Sequence, residues 1–140
     1  MIVLDTNVVS ELMKPAPADV VMGWIASRTA TSLYTTSITQ AEILHGILLL
    51  PSGKRRKSIE QAAEAMFDED FAGRILPFAS DAAFFYAEIA AERRRRGQPI
   101  AHFDAQIAAI SQATGASLAT RNVSDFTHCG IDVVNPWSNS

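Results

Sequence analysis

The chain has 140 residues, 48% of them hydrophobic, and a formal net charge of −3; that length suits one domain of ordinary size whose core needs no covalent staple. Its one cysteine, Cys129, excludes an internal disulfide and fits a reducing compartment. No apolar run approaches the length needed to span a bilayer, and the N-terminus lacks the basic segment and apolar stretch of a signal peptide, so a cytoplasmic protein with no membrane contact is expected.

The apolar residues Ile2-Val3-Leu4 form the first predicted strand, which stops at a carboxylate, Asp5. Burying a lone charge at the inner end of a strand costs several kcal/mol, so Asp5 needs an explanation. A short helix is predicted over 7–13, ended by Pro15 and Pro17. Residues 18–27 place Val20, Val21, Trp24 and Ile25 at helical spacing. A second strand is predicted over 33–36. Ser37-Ile38-Thr39-Gln40 has the form of a capping box and opens a helix to about residue 50, closed by Pro51 and Gly53. A helix over 56–67, rich in alanine and glutamate, precedes a strand over 74–77. Ser80 is predicted to cap a helix to residue 96, with Phe84, Ala87 and Ala91 on one face and Gly97 and Pro99 beyond its end. A helix over 102–114 stops at Gly115, and strands over 117–119 and 132–134 complete the chain. This alternation implies an α/β fold, a three-layer α/β/α sandwich around a mainly parallel central sheet of four to five strands. With no repeat or linker, residues 1–140 read as one domain.

Eight of the twelve basic residues lie in two runs, Lys54-Arg55-Arg56-Lys57 and Arg93-Arg94-Arg95-Arg96, while the acids are dispersed. Such runs are either solvated helix faces or local grips on a phosphate backbone.

In open α/β sheets ligands bind beyond the carboxyl ends of the strands. Asp5 stands at such an end. Asp125 follows the 117–119 strand after Thr120-Arg121-Asn122. Glu42 lies one turn into the helix after the second strand, and Asp104 is near the start of the helix before the fourth. Singly, each has an ordinary explanation. Asp5 could cap a helix, Asp104 complement a helix dipole, Asp125 serve a turn, and Glu42 sit on an exposed helix face. Gathered on one rim they would repel one another unless a cation lay among them. A hard divalent ion, Mg²⁺ or Mn²⁺, suits oxygen donors of this kind. Thr6, Asn7, Thr120 and Asn122 are the candidates to orient the carboxylates or the metal-bound waters.

Met1-Ile2-Val3-Leu4-Asp5-Thr6-Asn7 resembles the opening of PIN-domain proteins. The stretch Thr36-Ser37-Ile38-Thr39-Gln40-Ala41-Glu42-Ile43-Leu44-His45-Gly46 is similar to that family's second acidic motif. Pro99-Ile100-Ala101-His102-Phe103-Asp104-Ala105-Gln106-Ile107-Ala108-Ala109 resembles the third, and Leu118-Ala119-Thr120-Arg121-Asn122-Val123-Ser124-Asp125-Phe126 the fourth. The motifs occur in order, the likeness reaches Asn135-Pro136-Trp137, and it points to the VapC or FitB-like branch, the toxins of toxin–antitoxin pairs. The resemblance implies a PIN-like fold and carries over Asp5, Glu42, Asp104 and Asp125 as catalytic, metal-binding acids. It implies a Mg²⁺-dependent endoribonuclease, with Mn²⁺ able to substitute. Metal-activated water would cut an RNA phosphodiester to leave 5′-phosphate and 3′-hydroxyl ends.

Arg121, Lys54, Arg55, Arg56, Arg93 and Arg94 are the candidate RNA contacts. His102 departs from the family's usual third motif, and His45 and His128 are assigned to packing or surface. Implied partners are the RNA substrate, a cognate antitoxin, a second copy in a homodimer or a toxin–antitoxin hetero-oligomer, and operator DNA reached through the antitoxin. Three alternatives compete. A small-molecule metal phosphatase often carries a second Asp two residues after the nucleophile, where this chain has Asn7. A receiver-like signalling domain needs a lysine at a later strand end, and none is found. A degenerate PIN module that only binds RNA or a partner ranks low because all four acids are present.

Overall fold

The computed structural model describes residues 1–138. Five strands, β1 (Ile2–Leu4), β2 (Leu33–Thr36), β3 (Ile75–Leu76), β4 (Ser117–Ala119) and β5 (Val133–Val134), form one sheet in the order β3-β2-β1-β4-β5. Every pairing is parallel. Six helices surround the sheet: α1 (Thr6–Leu12), α2 (Asp19–Ala26), α3 (Ser37–Leu48), α4 (Lys54–Ala65), α5 (Ser80–Arg95) and α6 (His102–Thr114). The expected α/β sandwich is therefore present, with all of its strands parallel. β1 is central, and the chain builds first toward β2 and β3, then crosses to β4 and β5. The carboxyl end of β1 is thus the point where strand order reverses, the usual ligand crevice of such sheets.

Period-two alternation along the strands feeds two cores. Val3 and Leu118 point to one face, against Ile89 of α5 and Ile107, Ala108 and Ile110 of α6. Leu4, Leu33 and Ala119 point to the other, against Val8 and Val9 of α1, Ile43 and Ile47 of α3 and Ala63 of α4. A parallel sheet covered on both faces needs apolar residues at every strand position, which is why Ile2-Val3-Leu4 has no polar member.

The starts of α1 and α3 differ from expectation for one reason. At the site end of the sheet the last residue of the strand, or the one beyond it, is itself the cap. Asp5, in extended conformation, accepts from the Thr6 amide at 2.8 Å, so α1 starts at Thr6 rather than at residue 7. Thr36, the last residue of β2, accepts from the Thr39 amide at 3.1 Å. The cap of α3 is therefore Thr36 and not Ser37. At α5 the predicted Ser80 cap is also replaced: Ala79 occupies the cap position with no side-chain bond, and the Asp81 carboxylate accepts from the Ala82 amide at 2.8 Å. α4 starts two residues earlier than predicted and ends at Ala65. It then continues through one wider turn, Met66–Asp70, which seats Met66 and Phe67 in the core. Arg74 ties that corner together by donating to the carbonyls of Ala30, Leu33 and Asp70. Among the described residues no helix is long and apolar enough to cross a membrane.

Ile107 is fully buried between α6 and the sheet. Ile107→Ala should lower unfolding free energy by about 2–5 kcal/mol in urea denaturation. Leu49→Ala, at a side chain 72% exposed, should change it by no more than about 0.5 kcal/mol.

Candidate active site

Asp5 is only 5% exposed at the end of β1. Its two oxygens are held separately. Oδ1 accepts from the Thr6 amide at 2.8 Å, and Oδ2 accepts from the Thr120 hydroxyl at 2.7 Å and the Asn7 amide at 3.3 Å. Thr120 is fully buried just past β4, so the strand beside β1 supplies the hydroxyl. Asn7 also donates to Thr120 Oγ1 at 3.1 Å and accepts from the Arg121 amide at 3.1 Å, joining α1 to the loop after β4. Glu42 enters from α3. Its Oε1 accepts from the Thr6 hydroxyl at 2.7 Å, and Thr39, one turn earlier on the same helix face, lies 3.0 Å from that hydroxyl. Thr6 therefore bridges the two acids, through its amide to Asp5 and its hydroxyl to Glu42.

Asp104 sits in the first turn of α6, and Asp125 in a short 3-10 turn, Val123–Phe126, after β4. Among the described residues neither carboxylate has a hydrogen-bond partner, but both lie within electrostatic reach of the others. The Asp104 carboxyl is pushed up to about 6, first by burial and then by repulsion from Asp5, Asp125 and Glu42; the Arg93 guanidinium partly opposes this. Burial is also the main cause raising Asp5 and Glu42, with Asp125 repelling Asp5 and Asp5 repelling Glu42. Four carboxyls from four segments thus meet on one rim.

The donors are all oxygen, a set that fits a hard divalent cation better than a soft one. Among the described residues no three His, Cys, Asp or Glu side chains stand close enough together to hold an ion as they are. Asp5 and Glu42 are pinned by their hydroxyl partners, so Asp104 and Asp125 are the two that would turn inward to complete such a site. A groove of about 760 Å³ leads away from Thr6 and Glu42 over Met13, Ile43, Ile47 and Ile59, with Lys14 and Arg55 on its walls. A cleft of about 520 Å³ elsewhere, along residues 111–133, includes none of the four acids.

The PIN domain family matches residues 2–128. The chain belongs to the PIN-domain family. It is 42% identical to the VapC ribonuclease Y4jK of Sinorhizobium fredii over 137 residues, covering 98% of each chain. It is 38% identical to toxin FitB of Neisseria gonorrhoeae, covering 98% of this chain and 99% of that one. A solved structure of FitAB bound to a DNA fragment superposes with a TM-score of 0.93 at 37% identity, covering 100% of this chain and 98% of the other.

Within this PIN fold the oriented hydroxyls and amides are those of Thr6, Asn7 and Thr120. Asn122 takes part through its backbone amide, which donates to Thr120 Oγ1 at 3.1 Å. The sequence did not single out Thr39, although its position three residues before Glu42 was the available signal. The candidate RNA contacts divide. Arg121 lies over the Trp137 ring at 4.9 Å beside the rim. Lys54 and Arg55 are exposed in the first turn of α4, with Arg55 on the groove. Arg56 is engaged by Glu60 at 2.8 Å, and Arg94 is exposed on α5. Arg93 is a correction. It is 6% exposed and its Nε and Nη1 donate to main-chain carbonyls, so it is turned into the protein rather than toward a nucleic acid. His102 bonds the Tyr86 hydroxyl at 2.7 Å through Nδ1, while His45 and His128 are exposed.

Because Asp104 holds its proton to about pH 6 when folded, against an ordinary value of 3.8, the folded chain binds more protons than the unfolded chain between those values. Stability of the metal-free protein should therefore fall as pH rises from about 4 through about 6. Asp104→Asn removes the share of that slope that belongs to Asp104. At pH 8, urea denaturation without divalent ions should find the variant more stable than the parent by about 1–2 kcal/mol, after discounting for partial exposure. The difference should shrink toward pH 4 and vanish below the ordinary value of 3.8.

Proposed function

We propose that the chain is the toxin of a toxin–antitoxin pair, an endoribonuclease that hydrolyses an RNA phosphodiester with Mg²⁺ or Mn²⁺. The observation that carries this is the Asp104 carboxyl, raised by burial and by three other acids on one rim. That repulsion is what a bound divalent cation relieves. The relatives named a VapC ribonuclease and toxin FitB support the same reaction class.

Asp5 and Glu42 would hold the cation from positions fixed by Thr6, Asn7 and Thr120. Asp104 and Asp125, without hydrogen-bond partners, would complete the donor set, and one of these carboxylates would take the proton of the attacking water. When bound, the cation supplies activation of that water and neutralisation of charge on the phosphoryl oxygens. Arg121 and Arg55 flank the rim and would grip the RNA backbone. Water, not the ribose 2′-hydroxyl, is the nucleophile in this scheme.

The partner proposed is an antitoxin, in a hetero-oligomer built on a toxin homodimer, with operator DNA reached through the antitoxin. The solved structure of FitAB bound to a DNA fragment supports a partnered, DNA-binding complex. A basic antitoxin side chain on the rim would complement carboxylates that lack a cation. Phe84, 63% exposed on α5, is available to an apolar interface, whereas Trp24 packs largely into the core.

Incubation of the purified protein with end-labelled RNA should give Mg²⁺-dependent cleavage, stopped by EDTA, with 5′-phosphate and 3′-hydroxyl ends. A single 2′-deoxy sugar at the cut site should still permit cleavage. A 2′,3′-cyclic phosphate product, or undiminished cleavage in EDTA, would overturn the mechanism. Asp5→Asn should abolish cleavage while leaving metal-free stability within about 1 kcal/mol of the parent, since Asn caps a helix as well as Asp does. Mg²⁺ should raise the parent's melting temperature by mass action and leave that of Asp5→Asn nearly unchanged in differential scanning fluorimetry.

A further inference from the structure

We infer that Arg93 is the positioning residue for the Asp125 carboxylate: its buried guanidinium holds the main chain of the turn after β4 and so sets where Asp125 stands relative to Asp5 and Asp104. This rests on the nuclease reading only for its consequence at the metal.

Arg93 is set apart from the run that contains it. Arg95 and Arg96 pair with Glu92 at the surface, at 3.0 and 2.9 Å, while Arg93 is buried in the last turn of α5. Among the described residues it makes no ion pair with a carboxylate. Instead Nε donates to the Gln98 carbonyl at 2.7 Å, and Nη1 donates to the carbonyls of Asp125 at 2.8 Å and Thr127 at 3.1 Å, with Cys129 Sγ at 3.7 Å. A buried charge without a paired carboxylate is unfavourable compared with an apolar side chain of similar bulk, so simple packing does not account for it. What the fork achieves is a link between two acid-bearing segments. Gln98 belongs to the loop that leads into α6 and Asp104, and the other carbonyls belong to the turn that carries Asp125. Among the described residues the Asp125 side chain has no hydrogen-bond partner, so the backbone fixes where its carboxyl is rooted and how far it can reach when it turns. That backbone is anchored by Phe126 in the core, by the Asp125 amide on the Asn122 carbonyl at 3.0 Å, and by Arg93. The arginine also places a positive charge near Asp104 without touching it.

The experiment compares the full chain with Arg93→Met, Arg93→Lys, Asp125→Asn and the Arg93→Met/Asp125→Asn double variant. Amide hydrogen exchange of the metal-free proteins should show segment 122–129 exchanging about tenfold faster in Arg93→Met, with β1 and α3 unchanged. Mn²⁺ titration should show about tenfold weaker binding for Arg93→Met, the scale of a lost ligand-orienting contact. Arg93→Lys should fall between, because an ammonium cannot span the three carbonyls as a planar fork does. In the Asp125→Asn background Arg93→Met should weaken Mn²⁺ by less than about twofold further, because the positioned group is gone. Parental exchange in 122–129 for the folded arginine variants would overturn the inference, as would a full tenfold loss that persists without Asp125. If Arg93→Met does not fold, Arg93→Lys decides. If the parent binds no Mn²⁺, the nuclease reading fails, and the exchange comparison still decides whether Arg93 holds the turn.

Discussion

Like charges brought together under partial burial are the constraint around which this protein is arranged. Asp5, at the end of the central strand, is almost fully removed from water, and the proton affinities of Asp5, Glu42 and Asp104 are raised by burial and by repulsion among the acids of this rim. Burial and repulsion act in the same direction, both favouring the neutral acid. What opposes them is a set of short hydroxyl and amide bonds from Thr6, Asn7 and Thr120. The rim therefore sets burial and like-charge repulsion against hydrogen bonding.

The sheet order makes this opposition possible. β1 is flanked by β2 and β4, so the residues just beyond three adjacent strands share one rim. Threonine recurs there because a β-branched hydroxyl suits an extended backbone and can still cap or bridge. Thr36 caps α3, Thr120 holds Asp5, and Thr39 stands behind Thr6. Each acid is thus placed by a different element. Asp5 follows a strand, Glu42 and Asp104 lie near helix starts, and Asp125 sits on a short turn tied to α5 through Arg93. The central strand carries Asp5 and helices carry Glu42 and Asp104, whereas Asp125 stands on a short turn held by a buried side chain.

Much of this was legible in the residues. Alternation of apolar segments with caps and breakers gave the strands within a residue or two and the α/β class outright. The four acids are proposed from their places relative to strand ends and from the PIN-like motifs around them. The helix caps were misplaced at α3 and α5 because local capping patterns do not reveal which residue still belongs to the strand or turn before. Arg93 was misread for a similar reason. In Arg93-Arg94-Arg95-Arg96 the four residues look equivalent, and only the rotation of α5 against the turn after β4 buries one of them.

The sequence by itself determined the layers, the parallel sheet and the family, because these depend on periodicity and on residue type at local spacing. Tertiary structure alone decided which hydroxyl holds which carboxylate, how far Asp104 is raised, and that one arginine of a basic run turns inward. Those outcomes depend on distances between segments up to 115 positions apart, as between Asp5 and Thr120, and only the packed sheet and helices fix such distances.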